Sequence, residues 1–497
     1  MSWFDDLRTT ALVGTGRHPV PPLPDGLAAQ PPPGLTSEEL LLGQAALADA
    51  ITRASRKAEA RGAPRHEPAP ADPQPEANAE AARLLDLLLN QSPVGQELRW
   101  QLVVDWLQLA ADARRRVPHR LLPALFGLAA ARTAVADHLE PAIGARGRWL
   151  QSLDPGTRAA AGRMSRRDAV GQDTEAAPSE VDWAGLGSAE AAVELERLRA
   201  KDPVDGRVQL QAQWKTLSAR DRAKFLEVLA TGLNPDDEPL LEHALDDKAK
   251  TVREVGAALL DRLPDSARAG RMARRLEPLL HVRGVLSKRI EIDLPGEPGP
   301  DGLRDGLAPH PRSGEPDRLA LLDTIIRGAP LTVWSSASGK DPEGTVKLLK
   351  GEARILRQVA ATAALRGDLP WVRALLTVLT DTSLLNVLPA DERSDYLAQH
   401  IRSSTELTLT LVPVLADIPR PWPADLAAAV LHRIAEKNGG LLAARLAGVL
   451  PTALPPEAAD RCRSMLGHSD DDATRRRILR DAIQYQSFLQ SLTEAFR

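Results

Sequence analysis

Between Asp236 and Pro264 apolar positions recur at helical spacing in two short runs separated by a polar turn. Pro239 suits a first helical turn, where a missing N–H costs nothing. Leu240, Leu241, Ala244 and Leu245 then form one apolar face, which Asp246 and Asp247 end. In the second run Val252, Val255, Gly256, Leu259, Leu260 and Leu263 share a face, and Pro264 stops it. Thr251 as N-cap with Glu254 three residues on predicts a capping box. Neither run is long enough to be a stable helix alone in water, so each must bury its stripe against a neighbour. The pair reads as one unit of a stack.

The spacing Leu241, Leu245, Asp247, Val252, Arg253, Ala257, Leu260 and Leu263 resembles a HEAT repeat. That resemblance makes Asp247 and Arg253 the inter-repeat structural residues and the leucines the stacked core. The fold class that follows is all-α, a HEAT-like α-solenoid of helical hairpins with irregular Pro/Gly-rich loops. One short β-hairpin is allowed for at Val285 to Leu294, where apolar and polar positions alternate.

The same patterning divides the chain. Residues 1–61 hold N-terminal helices around a Pro-rich connector, with Thr36 and Glu39 as a capping box, and 62–77 is a mobile Pro- and Ala-rich linker. Residues 78–164 form a helical subdomain, with Trp100, Val103, Val104 and Leu107 on one apolar face. A polar loop at 165–182 leads to central repeats over 183–294, in which Ala267 to His281 is one amphipathic helix. The Gly- and Pro-dense stretch 295–316 is read as irregular, and C-terminal helical repeats fill 317–497, with Trp334 to Glu343 as a flexible interruption.

Composition narrows the function classes. Of 497 residues 43% are hydrophobic, enough to build cores, while only 3% are aromatic and the apolar residues are mostly Leu, Ala and Val, a helix-forming set. A net charge of −4 argues against a whole-protein nucleic-acid binder. One cysteine, Cys462, excludes an internal disulfide and a multi-cysteine zinc site. With no signal-peptide pattern and no apolar run of spanning length, the expected location is cytoplasmic.

Several short motifs in order resemble a bacterial family of uncharacterised HEAT-like proteins. They are Trp3…Leu7…Ala11 to Arg17, Gly147 to Leu150, Trp214…Phe225-Leu226…Gly232-Leu233, Asp237 to Glu242 with Val252-Arg253, and Arg271 to Arg275. Members of that family are encoded beside SWIM zinc-finger proteins, MoxR-type AAA+ ATPases and von Willebrand A-domain proteins. The resemblance implies an accessory or adaptor in a chaperone-like ATPase system, with the MoxR-type ATPase or the von Willebrand A-domain protein as partner.

The chemistry is thin. Ser336 to Asp341 resembles the end of a phosphate-binding loop but lacks its leading glycine, and Asp341 would repel phosphate. Gly14-Thr15-Gly16 follows a helix and lacks the third glycine of a dinucleotide site. No His pair has metalloprotease spacing and no G-x-S-x-G elbow occurs, so no catalytic residue, cofactor or metal is assigned. Cys462 between Arg461 and Arg463 raises the question of a lowered thiol pKa, against an inert half-buried thiol. Asp470, Asp471 and Asp472 read as the start of the last helix.

The polar feature that stands out is basic. From Arg268 to Arg289 there are seven basic residues and one acid, Glu277. Arg271, Arg274 and Arg275 are therefore the candidate partner-binding residues, an arginine surface for an acidic protein. The bland reading, preferred on the residues alone, is a solvated face paired with Glu or Asp of a neighbouring helix. Arg114, Arg115, Arg116 and Arg120 are a second cluster. The expected function is a non-enzymatic protein-interaction scaffold. The alternatives are a HEAT-like nucleic-acid binder using the arginine-rich helix and an enzyme with a dispersed site.

Overall fold

The computed structural model describes residues 3–24, 31–55, 68–153, 186–284, 288–308, 317–404, 409–436, 439–468 and 472–497. The loop expected at 165–182, and Asp470 and Asp471, lie outside them. The chain divides into two compact units between Ala69 and Pro70.

In the smaller unit the helix Trp3–Val13 packs on Ser37–Ser55. The Thr36 N–H donates to Glu39 at 2.9 Å and the Glu39 N–H to the Thr36 hydroxyl at 3.3 Å, a reciprocal cap. The Trp3 indole donates to Gln44 at 3.2 Å, and the Gln44 amide donates to the Pro21 carbonyl at 2.9 Å. A largely buried glutamine thereby fixes the proline-rich connector.

The larger unit is a stack of helical hairpins, all-α among the described residues except for one antiparallel pair of strands. Leu280–Arg283 pairs with Arg289–Ile292, Leu280 opposite Ile292 and Arg283 opposite Arg289. Three apolar cores run through the unit. Leu195, Leu210, Phe225, Leu241, Val252 and Leu260 anchor one, and a second extends from Met272 to Ala482. The third unites Ala77 to Ile143 with Tyr485, Leu492 and Ala495.

The last helix, Ala473–Ala495, therefore serves two cores. Ile478, Leu479 and Ala482 fill the second, while the half from Tyr485 onward fills the third. The 78–153 helices complete the C-terminal end of the stack instead of only preceding the central repeats. Polar bonds fix the seam. The Tyr485 hydroxyl donates to Asp105 at 2.5 Å and the Gln484 amide to the Pro93 carbonyl at 2.7 Å. Trp106 meets Phe496 edge-on at 5.2 Å between ring centres.

The local pattern holds less well where turns decide. The second helix of the central hairpin starts at Lys250, not Thr251, because the Asp247 carboxylate already takes the Ala249 N–H at 2.8 Å; Glu254 pairs with Lys250 at 3.4 Å. The helix from Ala267 ends at Leu276, since Pro278 lacks an N–H, and the chain passes through one 3₁₀ turn into the first strand. Within 295–308, expected to be irregular, Pro300–Arg304 is helical with its proline in the first turn. The expected interruption at Trp334 is the helix Thr332–Ser338, held by a fully buried Trp334. Gly339 ends it at φ +67°, and Asp341 caps the next helix through the Gly344 N–H at 2.8 Å. The phosphate-loop look-alike is thus a helix-to-helix joint.

The linker expected at 62–77 is not uniform. Residues 62–67 lie outside the described ones, while the chain from Pro70 is tied down. The Arg116 N–H donates to the Pro75 carbonyl and the Ala77 N–H to that of Arg116, both at 2.9 Å. Asp72, nearly buried, lies 3.7 Å from Arg116 and accepts from the Arg146 N–H at 3.4 Å. There the helix Glu140–Leu153 breaks at Gly144, φ 69°, and a Cβ on Gly144 would collide with the Asp72 carboxylate. Burial alone would raise the Asp72 pKa, but the N–H groups of Ala145, Arg146 and Gln74 together with Arg116 hold it below the usual aspartate range.

Candidate functional site

The arginine-rich helix Ala267–Leu276 is capped by Ser266, whose hydroxyl accepts from the Ala269 N–H at 3.2 Å. Its helical turns aim Arg268, Arg271 and Arg275 at one residue, Asp305, which is fully buried. Arg271 Nε lies 2.9 and 3.0 Å from the two Asp305 oxygens, and its Nη2 donates to Glu242 at 2.9 Å. Arg275 Nη1 donates to Asp305 at 2.7 Å. The Arg268 Nε donates to the Asp305 carbonyl at 3.0 Å and its Nη1 to Asp261 at 2.5 Å. From the segment that carries Asp305, Arg304 returns to Asp246 at 2.7 Å and to Glu242 at 3.0 Å. Burial pushes the Asp305 carboxyl up, but the bonds from Arg271 and Arg275 outweigh it and hold it below the ordinary aspartate range.

Two of the three candidate partner-binding arginines, Arg271 and Arg275, are therefore bound internally. Arg274 alone is exposed with no ion pair among the described residues. The paired-face alternative describes Arg271 and Arg275. The sequence signal was Asp305 itself, a carboxylate directly after Arg304 and before Gly306, but nothing local points it at a helix 34 positions back.

Asp247 and Arg253 sit at the central hairpin. Asp247 lies 2.9 Å from Arg222 of the preceding hairpin. Arg253 Nη1 donates to the carbonyls of Asp247 and Lys248 at 2.8 and 2.9 Å, inside its own hairpin. The assignment of Arg253 across repeats is corrected accordingly: its side chain closes the entry turn. A stronger tie escaped the sequence. Arg199, fully buried, holds both oxygens of a fully buried Asp237 at 2.9 and 2.8 Å and donates to the carbonyls of Pro203, Leu229, Thr231 and Gly232.

Arg116 and Arg120 of the second cluster are likewise paired, Arg116 with Glu76 at 3.1 Å and Arg120 with Asp86 at 3.2 Å. Cys462 is fully buried, and burial pushes its thiol up to about 11 despite Arg461 and Arg463. Burial supports the inert-thiol reading of Cys462, with the side chain fully rather than half buried: the flanking cations stay exposed while the thiol faces the core. Among the described residues no group of three His, Cys, Asp or Glu side chains could hold a metal ion, and no helix is long and apolar enough to cross a membrane.

A broad opening lies along the seam made by the last helix. This cleft, of about 980 Å³, runs between the start of the helix Gln96–Asp112, the Ala131 to Ala134 turn, the segment at Arg420, the Ala447 to Thr452 turn, and Arg477 with Asp481. Leu98, Val104 and Pro451 make a buried apolar floor. Two guanidinium groups lie over the Trp100 ring, Arg99 at 4.7 Å and Arg132 at 5.4 Å from its centre. Arg132 also reaches Glu97 at 3.3 Å. Arg420 and Arg477 are exposed and make no ion pair among the described residues. Burial raises the Asp481 pKa against the opposing charge of Arg477. Behind the floor, burial also raises Asp105, despite the bonds it accepts from Tyr485 and Gln101. An open apolar trough with a few convergent charged groups and perturbed carboxyls has the form of a binding site. None of its residues stood out in the sequence except Trp100 and Val104, read there only as a core face.

The chain belongs to a family of unknown function (DUF5691), whose model matches residues 6–496. No curated protein matches it.

Proposed function

We propose that this member of the family is a non-enzymatic protein-interaction scaffold, cytoplasmic, whose docking place is the seam cleft. The observation that supports the reading is the cleft itself: an open groove of about 980 Å³ framed by elements from both ends of the larger unit. Stacked helices give such a groove rigid walls, so a partner's segment can bind without first ordering its receptor. The partner expected from the resemblance is the MoxR-type ATPase or the von Willebrand A-domain protein. The nucleic-acid alternative is weakened, because phosphates would have to displace Asp305 and Glu242 from Arg271 and Arg275.

The test is a photo-crosslinking amino acid introduced in living cells at Gln96, on the cleft rim, and at Arg262, away from it. The scaffold reading expects a discrete protein adduct from Gln96 that Arg262 does not give. Equal adduct patterns at both positions, or none at Gln96, would remove it.

A further inference from the structure

The charge pattern of the cleft points to a class of occupant. Elsewhere in this chain arginines from successive helical turns converge on a carboxylate, as Arg271 and Arg275 do on Asp305. At the seam, Arg420 and Arg477 come from separate elements to the same opening; among the described residues neither has a carboxylate within ion-pair distance, and Asp105 and Asp481 act on them only at longer range. The helix Gln96–Asp112 opens into the same space, its N-cap Gly95 offering no side-chain bond to the first-turn N–H groups. Those groups carry the positive end of the helix dipole, which Glu97 in the first turn, itself paired with Arg132, partly offsets. Between these positive features lies the apolar floor of Leu98, Val104 and Pro451, flanked by Val449 and Ala447. A basic polymer is disfavoured, and a bare small anion would leave the apolar trough wet.

We propose that the seam cleft binds a short acidic segment of a partner protein, its carboxylates on Arg420 and Arg477 and an interposed apolar side chain on the Leu98, Val104 and Pro451 floor. This rests on the reading of the cleft as the docking place and specifies what docks there. Arginine suits the role because its planar fork takes both oxygens of one carboxylate, as Arg199 does with Asp237 inside this chain. Exposed arginines contribute chiefly to selectivity and encounter rate, while burial of the segment's own apolar side chain adds affinity.

The experiment uses the full chain and fluorescein-labelled, N-acetylated decapeptides that alternate Asp or Glu with Leu or Phe, read by fluorescence anisotropy. Matched peptides carry Asn and Gln in place of the acids. The expected result is at least tenfold tighter binding of the acidic series, weakening as salt is raised. The pair Arg420→Glu, Arg477→Glu should lose binding at least tenfold with an unchanged thermal midpoint. Arg420→Gln with Arg477→Gln gives a milder loss in the same direction and guards against misfolding of the reversed pair. Lys350→Glu, exposed and outside the cleft, should leave binding unchanged.

Equal binding of acidic and amide peptides overturns the proposal, as does failure of every acidic peptide to bind. A dimer in sedimentation that the double reversal turns into monomer also overturns it, in favour of a second copy in the cleft. If Gln96 captures a partner in cells but the double reversal leaves that adduct intact, the acidic-segment assignment falls and the scaffold reading stands.

Discussion

Asp305 and the seam cleft are both surrounded by arginine, yet they are opposite arrangements. Around Asp305 the carboxylate is fully buried and Arg271 and Arg275 are about a quarter exposed, with 22% and 24% of their side-chain surface accessible. At the cleft Arg420 and Arg477 are exposed and make no close ion pair among the described residues, acting only at longer range on Asp105 and Asp481. The first arrangement fixes a loop onto the stack, whereas the second leaves positive charge at an opening with an apolar floor. An arginine-rich sequence therefore does not reveal where binding occurs. What decides is whether the fold brings a carboxylate to the guanidinium. Stability should follow enclosure, being most sensitive where charge is sealed in and least where it is open.

The sealed extreme is Arg199 with Asp237, both fully buried. Arg199→Ala takes the bidentate partner from a buried carboxylate, which keeps only Arg207 at 3.4 Å and the Asn234 N–H at 3.1 Å, and removes a donor from four carbonyls, so it should lower unfolding free energy by ~3–5 kcal/mol. Urea denaturation measures it. A loss under about 1 kcal/mol would mean that enclosure does not set the order.

At the intermediate level, Asp305→Asn keeps the shape but removes the charge that Arg271 and Arg275 hold. The expected loss at neutral pH is about 3 kcal/mol, reduced from the sealed case because the two arginines can hydrate. The pH dependence has a definite sign. Asp305 titrates lower folded than unfolded, so its stabilisation is complete above the unfolded aspartate range and disappears as pH falls through the folded value. Wild type and variant should therefore converge in acid. A constant gap down to pH 2 would show that the loss comes from packing alone.

These two sites also mark what the sequence could and could not reveal. The central hairpin was legible because its signal is local: apolar positions at helical spacing, a proline in the first turn, a proline stop. The all-α stack follows from that. Asp305 was not, because its segment is dense in Gly and Pro, and its short helix is stabilised by contacts with a distant hairpin. Asp105 and Tyr485 lie 380 positions apart, so the seam, and hence the cleft, exists only after the last helix has closed on the third core. Trp100 fitted an apolar stripe, and the stripe could not show that its ring would lie beneath two guanidinium groups at an opening.

The seam gives a smaller effect with the opposite pH sign. Asp105 titrates higher folded than unfolded, so it is a burden on stability that grows as pH rises out of the acid range. Tyr485→Phe removes a donor to that carboxylate and should cost about 2 kcal/mol at pH 7. Without the donor the folded pKa rises further, so the cost should shrink at pH 4, where protonation relieves the buried charge. Equal costs at both values would mean that Tyr485 acts there only as an apolar ring.

The smallest effect is expected at the open end of the comparison. Arg420→Glu with Arg477→Glu breaks no ion pair among the described residues, and exposed substitutions away from caps and cores seldom change stability. The thermal midpoint should match wild type, while attachment of acidic decapeptides falls at least tenfold. Arg477→Glu also places a second carboxylate four residues before Asp481 on the same helix, an unfavourable i, i+4 pair of small size. Arg477→Gln separates that contribution, since it removes the attraction without adding the repulsion. If the reversed pair unfolds several degrees early and the glutamine pair does so too, the two arginines hold the seam as Arg271 and Arg275 hold Asp305. The distinction between a fixed hub and an open docking groove would then be lost.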